Sequence, residues 1–245
     1  MAEKKERKER IEIIDALRGL AVVLMVIHHF LYDLTAFLSA PIWLFTNPVF
    51  DTLHYIFAGL FISLSGVSSQ LSRDNIKRGS VTIVLAVAIT YLTYRMDMPV
   101  WFGVLHLLGF SMLFFGITRG LWDAIPKKIA PFVLASLVIA SVITTTYVPI
   151  ESENLWAQDA LNVLGWPQPG FRSFDYFPLL PWIFVFLLGA WAGVYIRAKK
   201  LPSWFYKTKP PVFPAIGRKA LLVYILHQPI LYALVMWIAA LIHRP

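Results

Sequence analysis

The chain has 245 residues, of which 58% are hydrophobic and only 15% are charged. A soluble domain of this size needs more charge to cover its surface, so the composition excludes an ordinary soluble protein and predicts an all-α, polytopic membrane helix bundle. The absence of cysteine excludes disulfides, thiolate metal sites and cysteine nucleophiles. The net charge of +8 is concentrated in particular loops, which indicates membrane topology, and we expect no nucleic-acid partner.

Seven apolar segments predict the membrane spans. A helix needs about 20 apolar residues to cross a hydrocarbon core roughly 30 Å thick. On that basis we place spans at 14–37, 51–71, 80–95, 100–118, 129–148, 177–196 and 219–242. The third is short and is expected to end near Tyr94, and a short interfacial helix is expected at 154–164. We predict one transmembrane domain over 1–245, in which 1–10 is a flexible, basic cytoplasmic head.

The basic residues predict the orientation of these spans. Nineteen Lys and Arg lie on the side that holds the N-terminus, and three lie on the other side. Because Lys and Arg accumulate in cytoplasmic loops, the N-terminus is predicted to be cytoplasmic and the C-terminus to face outward. Models with six or eight spans would break this alternation.

The first predicted span carries an unusual set of ionisable residues. Such groups are costly inside a membrane and therefore often functional. At 100° per residue, Asp15, Arg18, His29 and Asp33 share one stripe of the helix, whereas His28 points about 100° away. Arg18 and His29 differ by about 16 Å in height along the helix.

Three histidines on three predicted spans are candidates for one polar cavity. By helical rise, His29 and His106 each lie about 9 Å below the outer boundary, and His227 lies about 12 Å from the inner one. A structural hydrogen bond to a neighbouring helix explains His106 or His227 alone equally well. For His29, the charged neighbours on its stripe favour a functional role.

Two further features concern metals and substrates. A zinc site built from His29, His106 and Asp33 lacks any H-x-x-x-H or H-x-x-E spacing, so no metal is predicted. Asp175 and Tyr176 cap the predicted outer end of the sixth span, which makes them candidate substrate contacts.

Five segments, in order along most of the chain, carry a resemblance to a known family. They are the segment 14–21 with Arg18 followed after ten residues by His29, and then 64–73, 103–109, 175–182 and 217–221 with Tyr224, His227, Gln228 and Pro229. The set resembles the transmembrane acyltransferases. Among them it is most similar to the heparan-alpha-glucosaminide N-acetyltransferase catalytic-domain family and its small prokaryotic members. The animal lysosomal enzyme of that family is larger, so its acceptor is not carried over.

The resemblance implies an acetyl-CoA-dependent acyltransferase in the cytoplasmic membrane of a prokaryote. Acetyl-CoA is then a co-substrate and no cofactor is permanently bound; the acceptor is an amino sugar or a hydroxyl of an envelope glycan at the outer face. His29 is the expected general base or acyl carrier, with Asp33 orienting its ring and His106 as a second catalytic candidate. The expected phosphate-binding residues are Arg18, Arg73, Lys77, Arg78 and Arg218, and the expected acceptor contacts are Asp175, Tyr176 and His227.

Two other classes of function stay open, as does a homodimeric assembly. The polar stripe and small residues also suit a small-molecule transporter or flippase, although the sequence shows neither an internal repeat nor a broken helix. A non-catalytic membrane subunit that only packs helices is the third reading. Binding of acetyl-CoA separates the first class from the other two.

Overall fold

The structure, a computed structural model, describes residues 10–242. Within that range the regular secondary structure is helical, with no strand. The residues predicted to form the basic head lie outside the described residues, apart from Arg10. The helices are α1 (Glu12–Phe37), α2 (Trp43–Thr46), α3 (Pro48–Leu71), α4 (Asn75–Arg95), α5 (Val104–Ile117), α6 (Arg119–Ala124), α7 (Ala130–Tyr147), α8 (Leu155–Leu164), α9 (Leu179–Arg197), α10 (Ser203–Lys207), α11 (Phe213–Arg218) and α12 (Ala220–Ile242).

Six of the seven predicted spans coincide with helices long and apolar enough to cross a membrane. These are α1, α3, α4, α7, α9 and α12, so the prediction of a polytopic helical bundle is confirmed. The fourth span differs from its prediction. The segment 100–103 is not helical, and α5 has only 14 residues, about 21 Å in length, which is shorter than a typical hydrocarbon core.

The third span was predicted to be short, and this is wrong. Its helix α4 begins at Asn75, five residues before the predicted start of the span. The Asp74 side chain accepts a hydrogen bond from the backbone N–H of Lys77 at 2.9 Å and caps the helix N-terminus. Lys77 and Arg78 therefore lie in the first turn of a 21-residue helix and not in a loop. Their charges excluded this turn from a span defined by hydropathy. The predicted end near Tyr94 agrees with Arg95, the last residue of α4.

Two other helices bear on the predictions. The short helix expected at 154–164 is confirmed as α8, which the Asn154 side chain caps by accepting from the N–H of Ala157 at 3.2 Å. The expectation of unbroken spans is wrong in the first turn of α9, where Leu180 has φ −95° and ψ 131°. Leu180 precedes Pro181, and the proline ring disfavours a helical conformation in the residue before it.

The chain forms two compact units. The first comprises residues 10–61 and 201–242, and the second comprises 62–200. In the second unit α4 pairs with α5, α7 packs on α9, and the side chains of Ile62, Leu107 and Phe186 are completely buried. The prediction of a single domain over the whole chain stays a prediction.

In the first unit, α1 is the central element and contacts α2, α10, α11 and α12. Two glycines let α11 lie directly on α1. A Cβ on Gly19 would stand 2.1 Å from the carbonyl oxygen of Phe213, and a Cβ on Gly217 would stand 1.8 Å from that of Asp15. No real side chain tolerates such distances, so this crossing requires glycine on both helices. It sets the position of α11 and of the helix α12 that follows.

Candidate functional site

Four histidines lie in a row in the first unit. On α1, His29 faces α12, where its ring meets that of His227 edge to face with centroids 4.8 Å apart. His28 faces α3 instead and stacks on His54 with centroids 4.3 Å apart. The two neighbouring rings on α1 are 6.0 Å apart. The 100° step between successive helical residues explains why His28 and His29 meet different helices.

Backbone carbonyls hold the rings of His29 and His227. Nδ1 of His29 lies 3.0 Å from the carbonyl oxygen of Met25, and Nδ1 of His227 bonds the carbonyl oxygen of Tyr224. Because a carbonyl oxygen only accepts, Nδ1 must carry the hydrogen in each ring. In the neutral imidazoles both Nε2 atoms then keep a lone pair. Nε2 of His227 is buried and has no hydrogen-bond partner among residues 10–242.

Asp33 is held by α12 and not by His29. Its side chain is completely buried, and its two carboxylate oxygens accept from Nε2 of Gln228 at 2.9 and 3.2 Å. The expected hydrogen bond from His29 to Asp33 is therefore replaced by the bond from His29 to Met25. A helical side chain leans back toward the preceding turn, which brings Nδ1 of His29 to the carbonyl four residues earlier. The catalytic role of Asp33 stays a prediction.

Arg18 lies at the other end of the same stripe. Its guanidinium Nη1 donates to Oδ1 of Asp15 at 2.9 Å, and both side chains are largely buried. The pair lies where α11 crosses α1, because Gly217 packs against the backbone of Asp15. Arg218 follows Gly217 directly and is exposed. The predicted phosphate-binding residues Arg18 and Arg218 thus belong to one end of the first unit, about 16 Å along α1 from His29.

The other predicted phosphate-binding residues lie in the second unit. Arg73, Lys77 and Arg78 are all exposed around the start of α4. In the sequence, Arg119 was considered only as one of the nineteen basic residues that predict the orientation of the spans. Its guanidinium donates to the carbonyl oxygens of Ser72 and Gln70 at 3.1 and 3.4 Å, so it caps the C-terminal end of α3.

His106 also lies in the second unit, with both ring nitrogens in hydrogen bonds. Nδ1 accepts from the N–H of Gly103 at 3.3 Å, and Nε2 lies 3.2 Å from the hydroxyl of Thr90. That hydroxyl donates to the carbonyl oxygen of Val100 at 2.6 Å, so Nε2 of His106 is the donor in its bond to Thr90. These contacts suit a residue that holds the start of α5. The catalytic role of His106 and its share in a cavity with His29 stay predictions.

The two candidate acceptor contacts outside the spans also hold backbone groups. Oδ2 of Asp175 accepts from the N–H of Val104 at 3.1 Å and so caps α5. The phenol of Tyr176 donates to the carbonyl oxygen of Asn162 at 2.7 Å, and burial raises the pKa of Tyr176 to about 12. Both contacts order the connection between α8 and α9. A role in acceptor binding stays a prediction for both residues.

Sequence reasoning missed two members of this site. His54 is the only histidine of the predicted second span, and an ionisable residue inside a span is a signal that should have marked it. Gln228 was noticed as part of a motif, but its contact with Asp33, 195 residues away, has no signal in the sequence. No group of three or more His, Cys, Asp or Glu in residues 10–242 is arranged to hold a metal ion.

A comparison with protein-family models matches residues 10–229 to the family described as heparan-alpha-glucosaminide N-acetyltransferase, catalytic. The chain belongs to this family. The match extends over most of the chain and confirms the resemblance noted in the sequence. It contains His29, Asp33, His227 and Gln228, and the family implies a membrane acetyltransferase in general. Comparisons with curated proteins and with solved structures gave no match.

Proposed function

We propose that the protein transfers an acetyl group from cytoplasmic acetyl-CoA to an amine or hydroxyl of an envelope glycan at the outer face of a prokaryotic cytoplasmic membrane. The observation that carries this proposal is the pair formed by His29 and His227. Each ring donates through Nδ1 to a backbone carbonyl and keeps the lone pair of Nε2 for chemistry. The chain's family membership supports the type of reaction.

His29 acts as the base in this proposal. Its Nε2 takes the proton from the attacking N–H or O–H group while the acceptor nitrogen or oxygen bonds the acetyl carbon. The C–S bond then breaks, and the leaving thiolate of CoA takes that proton from His29. The alternative is that Nε2 attacks the acetyl carbon itself and carries the acetyl group to the acceptor after CoA has left. Both routes use the same lone pair.

The distance along α1 between Arg18 and His29 suits acetyl-CoA as the acetyl donor. An extended pantetheine arm measures on the order of 15–20 Å by its bond lengths, close to the separation of Arg18 from His29. The nucleotide phosphates are proposed to bind at the end of the unit that carries Arg18 and Arg218. Arg18 already binds Asp15, so the exposed Arg218 offers the more accessible guanidinium. We propose phosphate-binding roles for Arg73, Lys77 and Arg78 separately. These roles rest only on the charge of the three side chains and on their predicted cytoplasmic side.

The test uses the purified chain in lipid nanodiscs with acetyl-CoA. Release of free CoA is followed with a thiol reagent, which reports only on CoA because the chain has no cysteine. We expect saturable binding of acetyl-CoA and faster release of CoA when glucosamine is added as a probe acceptor. A folded protein that neither binds acetyl-CoA nor releases CoA with any acceptor would refute the proposal and favour the transporter or the non-catalytic subunit.

A further inference from the structure

The hydrogen bond between Asp33 and Gln228 joins two helices beside the histidine pair. Asp33 on α1 is completely buried, and one amide nitrogen of Gln228 on α12 serves both of its oxygens. A carboxylate accepts only, so Nε2 of Gln228 must face Asp33 and Oε1 must face away. Oε1 is indeed buried and has no hydrogen-bond partner in the described part of the chain.

This bond lies within one helical turn of the two rings. Asp33 follows His29 by one helical turn, and Gln228 follows His227 directly. A carboxylate and an amide at hydrogen-bond distance therefore fix both the height and the rotation of α1 against α12. The ring contact of 4.8 Å depends on that register, because a slip of one turn would move the rings about 5.4 Å apart along the axis.

Helix packing alone does not require a carboxylate and an amide at Asp33 and Gln228. A buried, ionisable carboxylate is costly, and two apolar side chains would join the helices at lower cost. A carboxylate with one amide partner instead offers a directional, charge-assisted bond between the two helices. Such a bond is suited to holding functional side chains in one geometry.

We propose that Gln228 is a positioning residue, which acts through Asp33 to hold the His29–His227 pair in its reactive arrangement. The inference rests on the function proposed above. Gln228 touches neither ring through a hydrogen bond, since its amide nitrogen serves Asp33 and its amide oxygen lacks a partner within residues 10–242. Its effect on the reaction is therefore indirect.

The experiment compares Gln228→Leu with the exchange Asp33→Asn/Gln228→Glu. The first removes the bond. The second reverses it, because an amide on α1 then donates to a carboxylate on α12 and one negative charge is kept. We expect Gln228→Leu to lose up to about 100-fold in the rate of acetyl transfer, because the rings shift from their reactive positions, with unchanged affinity for acetyl-CoA. The exchange should recover most of that loss.

A second measurement does not depend on turnover. Nitrogen chemical shifts of ¹⁵N-labelled histidine in nanodiscs report the tautomer and surroundings of His29 and His227. We expect both signals to move in Gln228→Leu and to return toward those of the parent in the exchange variant. If Gln228→Leu does not fold, the comparison of the exchange variant with Asp33→Asn alone takes its place, with the same expected recovery.

The outcomes separate this inference from the proposed function. A parent protein that transfers no acetyl group refutes the proposed function, and the histidine signals then still decide whether Gln228 positions the rings. Unchanged histidine signals in folded Gln228→Leu overturn the inference. So does a transfer rate within about threefold of the parent, or a folded exchange variant that recovers nothing.

Discussion

Replacing His29 by alanine gives the sharpest test of the proposed chemistry. The substitution removes the only proposed base, and acid–base catalysis by a positioned side chain contributes about 10²- to 10⁴-fold in rate. We therefore expect His29→Ala to lose at least about two decades in acetyl transfer. A larger loss is expected if His29 carries the acetyl group, because no covalent intermediate can then form.

The same variant should leave acetyl-CoA binding almost unchanged. Arg18 and Arg218, which are proposed to lie at the nucleotide end of acetyl-CoA, are about 16 Å along α1 from His29, so the substitution leaves the proposed phosphate contacts in place. The expected result is a fall in kcat with little change in the Kd for acetyl-CoA. Isothermal titration gives the affinity and the CoA-release assay gives the rate.

His28→Phe is the matched control on the same helix. His28 is adjacent to His29 in the chain but stacks on His54, and phenylalanine keeps a flat ring in that place. We expect a much smaller effect than that of His29→Ala. An inactive His28→Phe beside an active His29→Ala would refute the argument from the helical stripe. If both variants stay fully active, catalysis lies elsewhere, and His106 is the next residue to test.

Three further predictions concern topology, donor binding and helix packing. A reporter at the C-terminus should be active outside the cell, and one inserted in the loop 197–218 should be active inside; the reverse pattern would refute the proposed entry side of CoA. Arg218→Gln should weaken acetyl-CoA binding by about 1–3 kcal/mol in titration calorimetry, and an unchanged Kd would place the phosphates elsewhere. Gly217→Ala should lower the unfolding temperature in a thermal melt, because α11 must move away from α1 at a cost of at least about 1–3 kcal/mol. Gly120→Ala, which would contact nothing within 4 Å, is its control, and equal melting of the two variants would contradict the packing argument.

Local patterns in the sequence were enough to identify the class, most of the spans and the stripe on α1. Hydropathy over about 20 residues reports a span directly, because the membrane selects each helix by its own composition. The ion pair between Asp15 and Arg18 follows from their spacing of three residues, which places both on one face of a helix. Hydropathy did not predict the first turn of α4, because this capped turn contains Lys77 and Arg78 and is helical without being apolar.

Only the tertiary structure decided what His29 faces. Its contact with His227 and the bond from Gln228 to Asp33 join positions almost 200 residues apart. Their alignment depends on how closely α11 and α12 approach α1, which the backbone contacts at Gly19 and Gly217 determine. Helical periodicity predicts which direction a side chain takes from its own axis. It contains no information on the height and rotation of a neighbouring helix, and those two quantities determine whether two histidines form a pair.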